Sequence, residues 1–224
     1  MDDFMNEQLK TKLDLASDIL EIQQLQSKYM SALEEMSFQR IWEDYMAKDH
    51  SEVQYEIVDN GRYIGPEKVG RFLTEHANKQ IGSIDGTEGK RGFFPMMTLR
   101  TPCIVVNKEK SRARGQWHLF GPHVMYVTPY PGKKHQLTSY WFIGKYDNEY
   151  IKIDGSWKIL KIHVVNFVRT PWELGWLRQA DCRRVISSGV PPTEPSYLHT
   201  YHPDAIYAKD SPYSYGPFLP DDDY

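Results

Sequence analysis

An α+β fold with its helices first and its sheet last is predicted by three features of the sequence. Apolar residues recur at helical spacing over residues 6–46, they alternate with a period of two over most of residues 53–168, and the turn residues between the later runs are those of antiparallel hairpins. The chain has 224 residues, of which 40% are hydrophobic, 13% aromatic and 25% charged. That composition suits one buried core with an extension, and two full domains would be cramped.

Leu9, Leu13, Ala16 and Leu20 form one apolar series, followed by Ile22, Leu25, Tyr29, Ala32, Leu33 and Met36. This predicts one long helix, or two with a shift of face near residue 20. Ser37 is a candidate N-cap for a second helix that buries Phe38, Ile41, Trp42, Tyr45 and Met46 and ends near Lys48 to His50.

Val53, Tyr55 and Ile57 then alternate with polar residues, and Asp59-Asn60-Gly61 supplies a hairpin turn before Tyr63 and Ile64. Gly65-Pro66 opens a short helix, because proline is tolerated at the first helical position. The glycine-rich, mixed-charge stretch 80–92 reads as a surface loop and a candidate lid.

Four strand signals complete the meander. They run from Leu99 to Val106, from Arg112 to Phe120 where Gly121-Pro122 breaks the pattern, from Leu137 to Ile151, and from Trp157 to Val168 after the Asp154-Gly155 turn. A short helix is expected over Trp172 to Val185. The final 38 residues carry seven prolines, which exclude a long helix or a central strand. Their many tyrosines suit a tail packed along its own domain or a neighbouring subunit. The expected division is a domain over 1–170 and a C-terminal extension over 171–224.

Several function classes are disfavoured by the totals. The 27 basic residues are dispersed among 30 acidic ones for a formal charge of −3, so no basic stripe offers affinity for nucleic acid. Cys103 and Cys182 are too few and wrongly spaced for a disulfide scaffold or a zinc knuckle. The eight histidines show no HxH or HxxxH pair, and no phosphate-binding glycine loop occurs. With an acidic start and no long apolar run, the chain is expected to be soluble and cytoplasmic, without a membrane segment.

The segments ILEIQQLQSKYMSALEEMSFQRIWEDYM, NGRYIGPEKVGRFL, TPCIVVNKEKSRARGQWHL and GKYDNEYIKIDGSWKI together resemble the SnoaL-like branch of the nuclear-transport-factor-like superfamily. Within it they are most similar to bacterial bile-acid 7α-dehydratases. The resemblance runs from about residue 19 to 168, and its most specific piece is Y-x-x-x-Y-x-K-I-D-G-x-W from Tyr146 to Trp157. It implies a conical barrel in which a curved antiparallel sheet wraps the helices around an apolar pocket suited to hydrophobic ring compounds. It also implies dehydratase, isomerase or cyclase chemistry without metal or organic cofactor, and a homo-oligomer, dimer or trimer.

Tyr29 falls on the family's pocket tyrosine, and Glu34 stands where the dehydratases carry an aspartate. Five residues turn a helix about 140° past alignment, so Glu34 reaches the pocket of Tyr29 only if the helix ends or bends near Leu33. Along 112–120, Ala113, Gly115, Trp117 and Leu119 share one face, so His118 faces away unless a bulge intervenes. His123 lies near the family's catalytic aspartate, whose own position is Gly121. Met97 aligns with the family's catalytic histidine and Arg100 with another. The candidate acid/base residues are therefore Tyr29, Glu34, His123 and His118, and the candidate substrate-lining residues are Met97, Arg100, Trp117, Trp141 and Tyr146. His163 and Asn166 are further candidates for the cavity wall.

A cofactor-independent lyase or double-bond isomerase for a hydrophobic cyclic substrate, steroid-like or otherwise polycyclic, is the leading expectation. The alternative is a non-catalytic module of the same fold that binds a small molecule or assembles with protein partners.

Overall fold

The structure is a computed structural model, and it describes residues 2–57, 61–76, 94–127, 136–174 and 190–194. Helix α1 (Asp2–Glu34) is a single helix. The two apolar series sit on different faces of it: Ile22, Leu25, Tyr29 and Ala32 are buried, whereas Leu9, Leu13 and Leu20 are exposed. The helix ends in a tight reversal, with Met36 at φ 55° and the Ser37 N–H donating to Ala32 O at 2.8 Å.

The second helix is shorter than its apolar pattern predicts. α2 (Phe38–Arg40) runs straight into a π-helical turn, Ile41–Tyr45. It stops there because Met46 is extended and bridges Ile159 of the sheet. Ser37 precedes it without a side-chain capping bond.

Strands β1 (Gln54–Ile57) and β2 (Gly61–Ile64) form the expected hairpin, and α3 (Pro66–Arg71) follows, extended by a π-helical turn, Phe72–His76. Then come β3 (Phe94–Pro95), β4 (Thr98–Val106), β5 (Arg112–Val127), β6 (Gln136–Ile153) and β7 (Ser156–Pro171), with a single 3₁₀ turn at Trp172–Leu174. The rest of the helix expected to Val185, the 80–92 stretch, the Asp59-Asn60 part of the hairpin turn and most of the tail lie outside the described residues.

The sheet order is β2-β1-β7-β6-β5-β3, with β4 also on β5. All pairings are antiparallel except β1 with β7, which is parallel and gives the sheet a mixed edge. Bulges between Arg100 and Cys103, Ile143 and Gly144, and Glu149 and Tyr150 bend the long strands, so the sheet curls around the second half of α1. This is the α+β cone expected from the sequence.

Gly121-Pro122 does not end β5, which continues to Val127 in register with β6. On its other side the part of β5 beyond Phe120 faces only the two-residue strand β3, where a missing proline N–H costs little. Pro122 still accepts a bond from the Met96 N–H at 3.3 Å. Gly121 is required by that approach, since a β-carbon there would lie 2.0 Å from Met96 O.

Asp18 pins α1 to the β6–β7 turn. Its Oδ1 accepts from Lys152 Nζ at 2.5 Å and Trp157 Nε1 at 2.9 Å, and its side chain is 4% exposed. Burial alone would raise its pKa, but the bonds from Lys152 and Trp157 outweigh that and hold it below the usual value. A carboxyl depressed on folding adds stability above its unfolded pKa, and that stability is lost as pH falls through the folded value. Asp18→Asn should therefore lower the melting temperature at pH 7 and flatten its decline below pH 4. A wild-type decline that the variant reproduces in full would assign the acid sensitivity elsewhere.

Residues 190–194 pack on their own domain at its β2 edge. Thr193 N–H donates to Arg62 O at 2.9 Å, Arg62 and Glu194 form an ion pair, and Val190 is fully buried. No described helix is long and apolar enough to cross a membrane.

Candidate functional site

The inward face of the cone is set by strand parity. Along β5 and β6 the inward pairs are Ala113 with Tyr150, Gly115 with Asn148, Trp117 with Tyr146, Leu119 with Gly144, Gly121 with Phe142 and His123 with Tyr140. The whole row is buried. Helix α1 lays Gln26 and Tyr29 against it.

Three phenols meet at the centre. Tyr29 is fully buried, and its hydroxyl lies 2.8 Å from that of Tyr55 on β1. The Tyr146 ring stands edge-on to Tyr29, with centroids 5.8 Å apart and planes at 84°. Burial pushes the pKa of Tyr29 well up, and the neighbouring Tyr146 and Tyr55 push it further. Tyr146 is raised for the same first reason. Both phenols are neutral at physiological pH and can each donate or accept a hydrogen bond.

A second polar group adjoins them. Gln26 Oε1 accepts from the Tyr150 hydroxyl at 2.8 Å and from Asn148 Nδ2 at 3.1 Å, with all three side chains fully buried. Asn148 Oδ1 accepts the His163 backbone N–H at 3.2 Å. Gln26 Nε2 is buried with no hydrogen-bond acceptor among the described residues, leaving a donor in the interior. Trp117 packs edge-on to Tyr150 at 5.8 Å and lies over Gly115, where a β-carbon would come within 2.5 Å of the indole.

His123 is buried and makes a separate cluster. Its Nδ1 is 3.3 Å from the Tyr140 hydroxyl, and its ring stacks on Phe142 with centroids 5.3 Å apart. Six residues of strand separate it from Trp117, about 20 Å along an extended chain, so it does not share one reacting atom with Tyr29. Met97 is buried beside the Gly121 approach.

Five other candidates lie elsewhere. Glu34 is exposed at the end of α1, which stays helical to that residue and so carries the carboxylate away from Tyr29. His118 is exposed on the outer face, with Nδ1 3.2 Å from Thr101 Oγ1. Arg100, its register partner, sits 4.7 Å over the Phe120 ring. Trp141 is also on the outer face, stacked on Phe120 and tilted against Trp172, each at 5.2 Å. His163 faces outward too, 4.0 Å from Glu56, and burial lowers its pKa although Glu56 opposes the shift. The Asn166 side chain is outside the described residues.

Tyr55, Gln26, Asn148 and Tyr150 complete the interior and were not among the sequence candidates. Parity from Tyr146 along YDNEY would have found Asn148 and Tyr150, and one helical turn back from Tyr29 would have found Gln26. Glu34→Gln and His118→Gln should each leave any activity within about twofold of wild type, since a general acid or base contributes at least about 100-fold. A larger loss in either would move the site outward. Among the described residues, no three His, Cys, Asp or Glu side chains are grouped to hold a metal ion.

The model of one protein family, the SnoaL-like domain, matches residues 14–163, more than half of the chain. Among solved structures, a type 2 hexachlorocyclohexane dehydrochlorinase (LinA) is similar with a TM-score of 0.54 at 18% identity, over 71% of this chain and 92% of that one. The type 3 LinA of Novosphingobium barchaimii gives 0.51 at 16%, over 71% and 93%. A provisionally assigned scytalone dehydratase of Novosphingobium aromaticivorans gives 0.52 at 14%, over 83% and 99%. At these identities the likeness is one of fold. No curated protein sequence matches the chain.

Proposed function

Because this chain belongs to the SnoaL-like domain family, we propose that its cone houses a cofactor-independent lyase or isomerase site for a hydrophobic cyclic compound bearing a hydroxyl or carbonyl oxygen. The observation that carries this reading is the Tyr29–Tyr55 hydroxyl pair at 2.8 Å, flanked by Tyr146 inside an aromatic-lined interior. The family description, the dehydrochlorinase and dehydratase names of the structural neighbours, and the resemblance to bile-acid 7α-dehydratases support elimination on a ring substrate, steroid-like or otherwise polycyclic. Residues 1–170 are the catalytic unit in this reading.

Tyr29 donates to the substrate oxygen while Tyr55 and Tyr146 hold it in place. In an elimination the carbon–oxygen bond breaks as the Tyr29 proton passes to the departing hydroxyl, giving water. The phenolate left behind takes the proton of the adjacent carbon, so the double bond forms and the phenol is restored. A raised pKa makes that phenolate a strong base. Gln26 Nε2 and the indole of Trp117 orient the ring, and His123 with Tyr140 contacts the far end of an elongated substrate.

One observation favours the rival reading of a small-molecule binder: the polar neighbours of the Tyr29 hydroxyl among the described residues are other phenols, with no carboxylate or imidazole bonded to it. The two are separated by incubating the protein with cyclic β-hydroxy ketones and following the absorbance of the conjugated enone. Enone formation that requires Tyr29 supports the lyase. Tight binding of the same ketones without product supports the binder.

A further inference from the structure

The outer stripe of α1 is unused by this site. Leu9, Leu13, Ala16 and Leu20 follow a 4-3-4 spacing, and at ~100° per residue they fall within a band of ~60°. The band lies nearly opposite the stripe of Ile22, Leu25, Tyr29 and Ala32 that docks on the sheet. Leu9, Leu13 and Leu20 are 57%, 61% and 57% exposed, and Met5 beside them is 63% exposed. Farther along the helix the same face becomes polar, with exposed Ser27 and Ser31, so the apolar band is confined to the first five turns.

This spacing is that of a coiled-coil seam, whose alternate positions interlock with a facing helix. Asp14 and Asp18 on the body side are already committed to Lys110 and Lys152. The charges around the seam are distributed unevenly: Asp3, Lys10 and Glu21 lie along one flank, with Glu21 just past the end of the seam, Lys12 lies on the other flank, and Asp2 is in line with the seam at the start of the helix. We propose that this seam pairs antiparallel with the seam of a second copy, making the protein a dimer through residues 9–20 of α1.

In the two-fold antiparallel register, Leu9 of each copy meets Leu20 of the other and Leu13 meets Ala16. Lys10 of each copy then lies beside Glu21 of the other. A parallel pair would give Lys10 no acidic counterpart, which sets the orientation. The residues of each copy that dock on its sheet, Ile22, Leu25, Tyr29 and Ala32, lie on the helix face opposite the seam, which directs the two bodies to the outer sides of the helix pair.

Sedimentation of the full chain tests this. Wild type is expected to be a dimer, and Leu13→Asp a folded monomer whose dissociation constant has risen at least about 100-fold. Circular dichroism checks that the variant keeps its fold, as the exposure of Leu13 implies. Lys10→Glu should weaken the dimer at low salt, and Lys10→Glu with Glu21→Lys should restore it. A wild-type monomer, or a dimer indifferent to both Leu13→Asp and the charge reversal, would overturn the proposal. So would a monomer that floats with phosphatidylcholine and phosphatidylglycerol vesicles in a Leu13-dependent way, since the stripe would then be a lipid-facing surface.

Discussion

Replacing Tyr29 by phenylalanine is expected to lower turnover of a cyclic hydroxy ketone by about 100-fold to 10,000-fold, the usual range for loss of a general acid or base. The ring and its edge-on contact with Tyr146 are kept, and only the hydroxyl facing Tyr55 is removed. Stability should fall by about 1–2 kcal/mol, one buried hydrogen bond with its partner left in place. Substrate affinity should fall far less than kcat, because the phenolate matters only as the bond breaks. Tyr55→Phe should cost less, since Tyr55 positions the hydroxyl of Tyr29. Equal losses in the two variants would place the reacting phenol on either residue and break the assignment. An unchanged kcat in Tyr29→Phe would remove it altogether.

The second large effect is on stability. Gly121→Ala places a methyl group 2.0 Å from Met96 O and 2.9 Å from Met97 Cα, both backbone atoms that cannot swing aside. Strand β3 must separate from β5, and the loss should be about 2–3 kcal/mol, read as a lower urea midpoint. Gly155→Ala is the informative contrast. There nothing lies within 4 Å, and only the left-handed backbone at φ 77° resists the methyl group, at a cost of about 1 kcal/mol. If Gly121→Ala is as stable as wild type, the close approach of β3 to β5 is wrong, and with it the placement of Met97.

Much of this architecture is legible in local pattern. The period of two in β5 puts Trp117 inside and His118 outside, and the fold keeps that parity to His123 because its bulges fall on other pairings. Tyr29 and Tyr146 can be singled out because one lies on a helical apolar stripe and the other in a specific motif. Their meeting with Tyr55 is not legible, since it depends on β1 pairing in parallel with β7, a long-range contact with no local signal. The same limit applies to Gly121-Pro122, which reads as a break in isolation and is tolerated only because its outer neighbour is two residues long. Trp141, one residue out of phase with Tyr140 and Phe142, falls to the outer face by the rule that places Trp117 within. Residue type suggested a pocket wall there, and parity decided otherwise.

The shift of face near residue 20 has the opposite lesson. The sequence leaves open whether it separates two helices or two faces of one helix. Continuous helix through Leu20 resolves it as two faces, one for the body and one exposed.

The central claim is that Tyr29 donates a hydrogen bond to an oxygen of a bound ring compound. The infrared carbonyl band of a cyclic ketone bound to the full chain tests it directly, whether or not turnover follows. The band should move to lower frequency in wild type relative to water-free solvent and return most of the way in Tyr29→Phe. A band that is unshifted on binding, or shifted equally in the variant, would contradict the account.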